Sequence, residues 1–352
     1  MSSDQTTNST TARPQVGLSP AELWFQVIVA YGVVSFVSTV MHALLAIAVY
    51  KVERLGSRFY VFIFFISIAR SLYAFSHAVL SVHRLLRTLG LMPFYTLSFV
   101  CHAIHAPGFG PQTMELAILL VIVLDRAVSF LSPMRYRKLS GNHAFYTCLA
   151  VTAACFLFRF LPSYAGVSLV KTIQCVNSDS IMARPYGLYT KYLDFVLSMI
   201  ILLAYVFLLG SVRYRLSRNA QSDANHVALN VSLKIMPFLK LQLIIHCLFV
   251  LSARKCQMVA GFFEPKSIPA QRLQAWYSNI NSFDVLGNAI IIYWRYPKLL
   301  HSSIKMIVGE RIANALVKNA YPQGGGAITV SAVTNQMSRD RRLFQVQPLP
   351  RE

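Results

Sequence analysis

A bundle of seven membrane-spanning helices is the fold this sequence predicts, and three observations predict it. Hydrophobic residues make up 55% of the 352 residues and charged residues 13%, about half the roughly 25% of an ordinary soluble domain. Seven apolar runs each approach the roughly 20 residues a helix needs to cross about 30 Å of hydrocarbon. Basic residues outnumber acidic ones by 33 to 13, and they are unevenly shared between the connections. A mean hydropathy of +0.50 excludes a soluble globular enzyme, a disordered regulator and a disulfide-stapled secreted module. The basic surplus is not interleaved with stacking aromatics on a soluble module, so no nucleic-acid partner is expected.

Residues 1–22 are polar and rich in Ser and Thr. They have no basic region ahead of a short apolar run, so the first span is expected to act as its own insertion signal. The spans are placed at 24–50, 59–82, 97–124, 143–166, 189–212, 229–252 and 273–294. All are read as helices, because backbone groups in lipid must be satisfied within the segment and the runs are continuous rather than alternating. With the N-terminus outside, and Lys191 and Lys234 near span ends counted with the flanking sides, 20 basic residues fall inside, ten outside and three within spans, a bias that supports an external N-terminus and a cytoplasmic C-terminus. Nine of the 20 lie in the tail, so the short loops contribute a weaker preference. The organisation expected is an extracellular tail (1–22), a helical bundle (23–294), an interfacial amphipathic helix (295–315) and a flexible cytoplasmic tail (316–352) containing Gly324-Gly325-Gly326. Asn8-Ser9-Thr10 then lies outside as a glycosylation acceptor, whereas Asn230-Val231-Ser232 falls at a cytoplasmic boundary and is expected to be unused.

The interfacial helix rests on spacing. Leu300, Ile304, Ile307, Val308 and Ile312 share one face over 297–315, with Lys298, Lys305 and Arg311 elsewhere and Pro297 suited to a first turn. Such a helix lies on an anionic inner leaflet. Thr329, Ser331, Thr334 and Ser338 precede Arg339-Asp340-Arg341-Arg342, and their phosphorylation offers a site for an arrestin-like partner.

Six cysteines are present. Cys101 near the outer end of the third span and Cys175 between the fourth and fifth both face an oxidising exterior, which permits a bridge; Cys256 is the competing partner. Cys148, Cys155 and Cys247 fall within spans as small packing residues. Asp125-Arg126 follows Cys101 by 24 residues, about 36 Å along a helix, which sets the pair at the cytoplasmic edge. An ionised Asp there can hold the guanidinium in a partly dry site, and its release exposes a forked donor to a partner; the plainer reading is that the charges mark the helix end. The outer half of the third span contains His102, His105, Pro107, Gly108, Gly110 and Pro111. Breaks of this kind need neighbouring groups to satisfy freed backbone, which points to an outer cavity, with Asp194 and Tyr277 as further lining candidates. The alternative is that the span starts only after Pro111.

Asp125-Arg126, Pro133 eight residues after Asp125, and the Met134-Arg135-Tyr136-Arg137-Lys138-Leu139 stretch resemble the Asp-Arg-Tyr…Pro-Leu-Arg-Tyr region of rhodopsin-like G-protein-coupled receptors. Together with Cys101, Cys175 and seven spans, the resemblance covers about residues 23–310, and the Tyr-rich and Phe-rich character is most similar to the nematode serpentine chemoreceptor families. It departs from the superfamily pattern at several positions. Ala127 replaces the Tyr of the triplet, Arg70 stands where an Asp is usual, and His42 stands where an Asn is usual. A cation cannot coordinate sodium, which puts the superfamily's sodium pocket in doubt here. Arg70 in mid-membrane needs an inward-facing partner, for which Asp284 is the candidate; otherwise it snorkels to the interface. Span six has Leu241 to Cys247 in place of Cys-Trp-x-Pro, with Pro237 nearer its cytoplasmic end. Span seven has Asn288-Ala289-Ile290-Ile291-Ile292-Tyr293 in place of Asn-Pro-x-x-Tyr, and span five has no Pro.

The resemblance implies a plasma-membrane receptor that binds a small extracellular molecule and engages a heterotrimeric G protein through Asp125, Arg126, Pro133, Arg135, Arg137, Lys138 and Tyr293. The rival is a transporter or channel using Arg70, Arg159, Lys240 and Asp284. A transporter of this size often shows inverted repeats and paired broken helices, and only one broken helix is visible. No metal-ligand cluster or nucleophile–base set collects on one side of the membrane, so neither an enzyme nor a cofactor is expected.

Overall fold

The computed structural model describes residues 24–53, 55, 57–93, 95–132, 136, 139, 141–165, 167–174, 184–219, 244–260, 262–263 and 268–314. These are mostly helical. The chain divides into two compact units, Met1–Leu299 and Leu300–Glu352.

In the first unit a π-helical stretch, Phe25–Val34, runs into α1 (Ser35–Glu53). Ser57 caps the next helix, its hydroxyl accepting from the Tyr60 amide at 3.4 Å, and so satisfies one of the donors a helix start leaves open. That helix, α2 (Arg58–Thr88), is followed by a short strand β1 (Tyr95–Leu97), α3 (Ser98–His105), a 3₁₀ turn (Ala106–Gly108) and α4 (Phe109–Leu131). Next come α5 (Gly141–Cys155), a π-helical stretch (Phe156–Phe160), α6 (Leu161–Ser163), β2 (Thr172–Gln174) and α7 (Arg184–Asn219). A π-helical stretch (His246–Leu251), α8 (Ser252–Ala260) and α9 (Ile268–Arg295) complete the bundle.

Four of these helical segments are long and apolar enough to cross a membrane: Ile28–Lys51, Arg58–Arg87, Gly141–Ser163 and Tyr192–Tyr214. Among the remaining helices, α4 and α9 carry Gln112, Glu115, Asp125, Asn281, Asp284 and Asn288, which lower their hydropathy, and all six are buried. The polarity is turned inward. His42, Ser67, Arg70, Asp194 and Ser198 are 2% exposed or less, while Phe36, Phe75, Phe158, Leu203 and Phe207 face outward. Water would penalise that outward apolar surface, whereas hydrocarbon does not, and in lipid the buried polar groups must find partners inside the bundle. The apolar core joins α2, α4, α5 and α7 through Val61, Phe65, Leu116, Ile118, Cys148 and Tyr205.

The helical stretch around the Pro-Gly break has two parts, α3 before it and α4 after it. Residues 98–105 are helical, and the break is absorbed in one 3₁₀ turn. The break makes a close contact that the sequence does not announce. A Cβ added at Gly108 would lie 2.7 Å from the Ser76 hydroxyl on α2, so the kinked turn packs directly against α2. Two three-residue strands pair across the same end, with Tyr95 opposite Gln174 and Leu97 opposite Thr172, and the Ser98 amide donates to the Lys171 carbonyl at 2.8 Å.

In the second unit, the helix expected over 297–315 is in two pieces. α10 (Pro297–Val308) ends where Gly309 takes φ +84°, a left-handed conformation for which glycine has no Cβ penalty and which commonly stops a helix. Residues 310–314 are helical again, with Lys305 Nζ on Glu310 Oε2 at 2.9 Å and His301 Nε2 to Asn314 Oδ1 at 2.7 Å. The uninterrupted apolar stripe through Ile312 is therefore broken at Gly309.

Candidate functional site

At the C-terminal end of α4 an ionic cluster forms around Asp125, whose side chain is 2% exposed. The expected partner was Arg126, but the closest cation is Arg58. Its Nη2 lies 2.5 Å from Asp125 Oδ1, while Arg126 Nε is 4.0 Å from Oδ2. The Tyr136 hydroxyl donates to Oδ2 at 3.1 Å, and the Arg58 guanidinium lies 4.5 Å from the centre of the Tyr136 ring, close enough for a cation–π contact. Burial, foremost, raises the Tyr136 phenol above its ordinary pKa; Arg126 opposes the rise and Asp125 adds to it. The hydroxyl consequently stays a donor at neutral pH. Arg126 stands 5.9 Å from the Phe59 ring. Arg58 was readable only as one of several basic residues before the second span; nothing in the sequence says which helix end faces Asp125. Pro133, Arg135, Arg137 and Lys138 lie outside the described residues.

Halfway along the bundle sits a second cluster. Arg70 on α2 donates from Nε and Nη2 to Glu115 Oε1 on α4, at 3.0 and 2.8 Å. The partner expected was Asp284, and the structure corrects this: Asp284 lies within electrostatic reach of Arg70, but the direct pair is with Glu115. Arg70 is 2% exposed and so does not snorkel. Asn288 Nδ2 donates to Asp284 Oδ1 at 2.8 Å, which fixes Asp284 one helical turn below it. His42 Nε2 donates to the Val285 carbonyl at 2.9 Å, and the Tyr293 hydroxyl donates to the Met41 carbonyl at 2.8 Å, so both tie α1 to α9. Glu115 was overlooked in the sequence, although a lone carboxylate inside an apolar run is itself a signal.

A third cluster joins α4, α7 and the π-helical stretch before α6. Arg159 Nη2 lies 3.0 Å from Asp194 Oδ2, and the Thr113 hydroxyl donates to Asp194 Oδ1 at 3.0 Å. His102 is bonded to the Ser163 hydroxyl at 3.0 Å, with its ring 4.4 Å from that of Tyr164. His105 is buried nearby on α3. Gln112 Nε2 is bonded to the Tyr277 hydroxyl. Of the four residues singled out for a ligand site, His102 bonds to Ser163, Asp194 to Arg159 and Thr113, and Tyr277 to Gln112. A cavity does exist, deeper in the bundle, lined by Tyr73, Gln112, Glu115, Asn281, Asp284 and apolar neighbours. Tyr277 reaches its lining through Gln112. Cys101 is disulfide-bonded, whereas Cys256, the competing outer cysteine, is free, as are Cys148 and Cys155. Cys175, Asn8 and Lys240 lie outside the described residues. Among the described residues no group of three or more His, Cys, Asp or Glu is placed to hold a metal ion.

Polar groups turned inward along a helical bundle, with an acid–base cluster at one end, are what a family comparison can decide. The family described as serpentine-type seven-transmembrane G-protein-coupled chemoreceptor Srsx matches residues 35–297. The chain belongs to this family. Comparison with curated proteins returns no match. Membership in the Srsx family makes the chain a multi-pass membrane protein of a chemoreceptor class, and this class comprises receptors, not enzymes. The matched range runs from the start of α1 to the first residue of α10, so all three clusters fall within the Srsx region.

Proposed function

We propose that the chain is a plasma-membrane receptor with seven spans and an external N-terminus, which binds a small extracellular molecule and activates a heterotrimeric G protein. The observation that carries this reading is the cluster at the end of α4. A buried Asp125 is engaged by Arg58 and Tyr136 while Arg126 stands beside it at 4.0 Å. A guanidinium so poised is available to a partner as a forked donor, and rearranging the pairs around one carboxylate gives the two-state element that signalling needs. Pro133, Arg135, Arg137 and Lys138 would extend the same surface, and Tyr293 would adjust the α1–α9 contact.

On the outer side the reading includes a Cys101–Cys175 bridge. It is supported by the free state of Cys256 and by β2 ending at Gln174, one residue before Cys175. Asn8 would carry a glycan. The helix after the last span would rest on the inner leaflet, and the Ser and Thr of the tail would recruit an arrestin-like protein when phosphorylated. His102, His105, Asp194 and Tyr277 would shape the outer vestibule. The transporter reading is not favoured: Arg70 and Arg159 are each closed onto a carboxylate, and the family is one of receptors.

The test is expression of the full chain, with an epitope at its N-terminus, in cells carrying a G-protein activation reporter. Labelling of intact cells together with a reporter signal that Arg126→Ala abolishes is the expected result. Labelling only after permeabilisation, or a signal indifferent to Arg126→Ala, would overturn the reading.

A further inference from the structure

Four histidines collect where the far end of α2 meets α3: His77 and His83 on α2, and His102 and His105 on α3. This end of α2 is the one opposite Arg58, and it is the end that carries the disulfide-bonded Cys101 and the β1–β2 pair. His83, His102 and His105 are buried. Buried ring nitrogens stand without a hydrogen-bond partner on all four: Nδ1 of His77, both nitrogens of His83, Nδ1 of His102 and Nε2 of His105. For His102 the tautomer follows from its neighbour. The Ser163 hydroxyl donates to the Phe160 carbonyl at 2.6 Å, so it accepts from His102 Nε2–H and leaves Nδ1 as a bare lone pair. A neutral ring fits such surroundings. An imidazolium would bury a charge and a second N–H with nothing to receive it, at a much larger cost.

What surrounds the rings sets the sign of their response. The groups that bear electrostatically on His105 are Arg84, His83, His102 and His77; those on His83 are Arg87 and Arg84, and Arg84 bears on His77. None of these is an acid. The other neighbours are aromatic: Tyr31 and Tyr73 have ring centres 4.8 and 4.3 Å from that of His77, Arg84 lies 5.0 Å from the Tyr31 ring, and Phe109 and Tyr164 flank His102. A proton added to one ring therefore meets cations, or rings that become cations in their turn. Packing is close as well, since Gly108, three residues after His105, leaves no room for a Cβ against Ser76, the neighbour of His77. Such a contact calls for a ligand that needs no cavity, and a proton is one.

We propose that the cluster is a proton sensor: external acid charges His77, His83, His102 and His105, and their mutual repulsion separates α3 from α2. This rests on the receptor reading for the outward placement of the cluster and for its effect on signalling, but not for the titration itself. Neutral rings are what the packed arrangement holds, so that arrangement is favoured above the ordinary imidazole value of about 6.5 and is lost as pH falls below it. One pH unit below that value, each imidazole released to water favours the separated arrangement about tenfold. Movement is confined by the disulfide at Cys101 and by the Ser98 amide on the Lys171 carbonyl. Separation therefore turns on the Ala106–Gly108 segment and shifts the start of α4, whose other end carries Asp125 and Arg126.

The experiment uses the purified full chain in lipid nanodiscs and reads backbone hydrogen exchange at about pH 7.5 and about pH 5.5, on either side of the ordinary imidazole value, corrected for the intrinsic effect of pH on exchange. Residues 98–108 are compared with residues 58–68 at the other end of α2. Protection of 98–108 should fall about tenfold or more in acid while that of 58–68 holds. Replacing both His83→Gln and His105→Gln should remove most of the fall, either replacement alone should lessen it, and His301→Gln, in the second unit, should leave it whole. Should the double variant fail to fold, the single variants and His77→Gln carry the same test. Protection that persists in the native chain at the lower pH, a fall shared equally by 58–68, or a fall undiminished by the histidine replacements overturns the proposal. Reporter cells pulsed with external acid separate the two readings. Loss of protection without a reporter signal leaves the sensor standing and sinks its link to a G protein, whereas a signal evoked by another compound, with no loss of protection in acid, keeps the receptor and removes the sensor.

Discussion

Replacing Arg58 by Gln probes the α4 cluster most sharply, because the structure makes Arg58 and Arg126 rivals for one carboxylate. Asp125 is 2% exposed and Arg58 16% at the side chain, with 2.5 Å between them. Breaking a fully buried pair costs about 3–5 kcal/mol, and a hydrogen bond to a charged group is worth about 1.5–3 kcal/mol. Arg58 is partly open to solvent, Tyr136 still donates to Asp125 at 3.1 Å, and Arg126 at 4.0 Å can close in. The net cost should therefore be about 2 kcal/mol. If closing in is how the protein recovers, Arg126 becomes more tightly held and less available. Since each 1.4 kcal/mol is tenfold in an equilibrium, the population with Arg126 released should fall by an order of magnitude. The assay is basal nucleotide exchange on a co-reconstituted G protein, read beside the thermal unfolding midpoint. Arg58→Gln should lower both. Asp125→Asn, which releases both cations, should raise basal exchange while lowering the midpoint. The competition argument is refuted if Arg58→Gln raises basal exchange as Asp125→Asn does, or if it changes neither quantity.

Other expectations follow from the same contacts. Removing the charge from Arg70 and from Glu115 should be strongly non-additive in a double-mutant cycle: Arg70→Leu or Glu115→Gln alone should each cost about 3–5 kcal/mol, and the double replacement should recover most of it; additive losses would mean the pair is not coupled. Gly108→Ala should destabilise the fold by about 1–3 kcal/mol through the clash with Ser76, and Ser76→Ala in the same chain should restore the unfolding midpoint. Cys101→Ser and Cys175→Ser should lower thermal stability equally, with the double variant no worse than either, whereas Cys256→Ser should be neutral; a loss in the double variant equal to the sum would separate the two cysteines.

The helices were legible because the need for about 20 apolar residues per crossing leaves a direct trace in composition, and helix is found on both sides of Pro107 and Gly108. The break there makes a contact that the residues alone do not announce. From sequence, Pro107 and Gly108 look like a helix opening a cavity, but the missing Cβ at Gly108 is there to let Ser76 approach, and no one-dimensional pattern distinguishes a void from a close contact. Pairing was harder. Arg70 was recognised as needing an acid, yet Asp284 was favoured and Glu115 passed over, since which of two carboxylates meets a guanidinium depends on helix rotation. Arg58 illustrates the same limit: it looked like a topogenic charge, and only the packing of α2 against α4 turns it into the partner of Asp125. The β1–β2 pairing left no signal, because three-residue strands are too short to show alternation.

The central claim is that the end of α4 hands its arginine to a G protein. The most direct measurement is nucleotide exchange on a purified heterotrimeric G protein by the full chain in nanodiscs, compared with Arg126→Ala at equal receptor folding. The account predicts exchange above the receptor-free rate for the native chain and a return to that rate for Arg126→Ala. Exchange that is the same with and without Arg126 would contradict it.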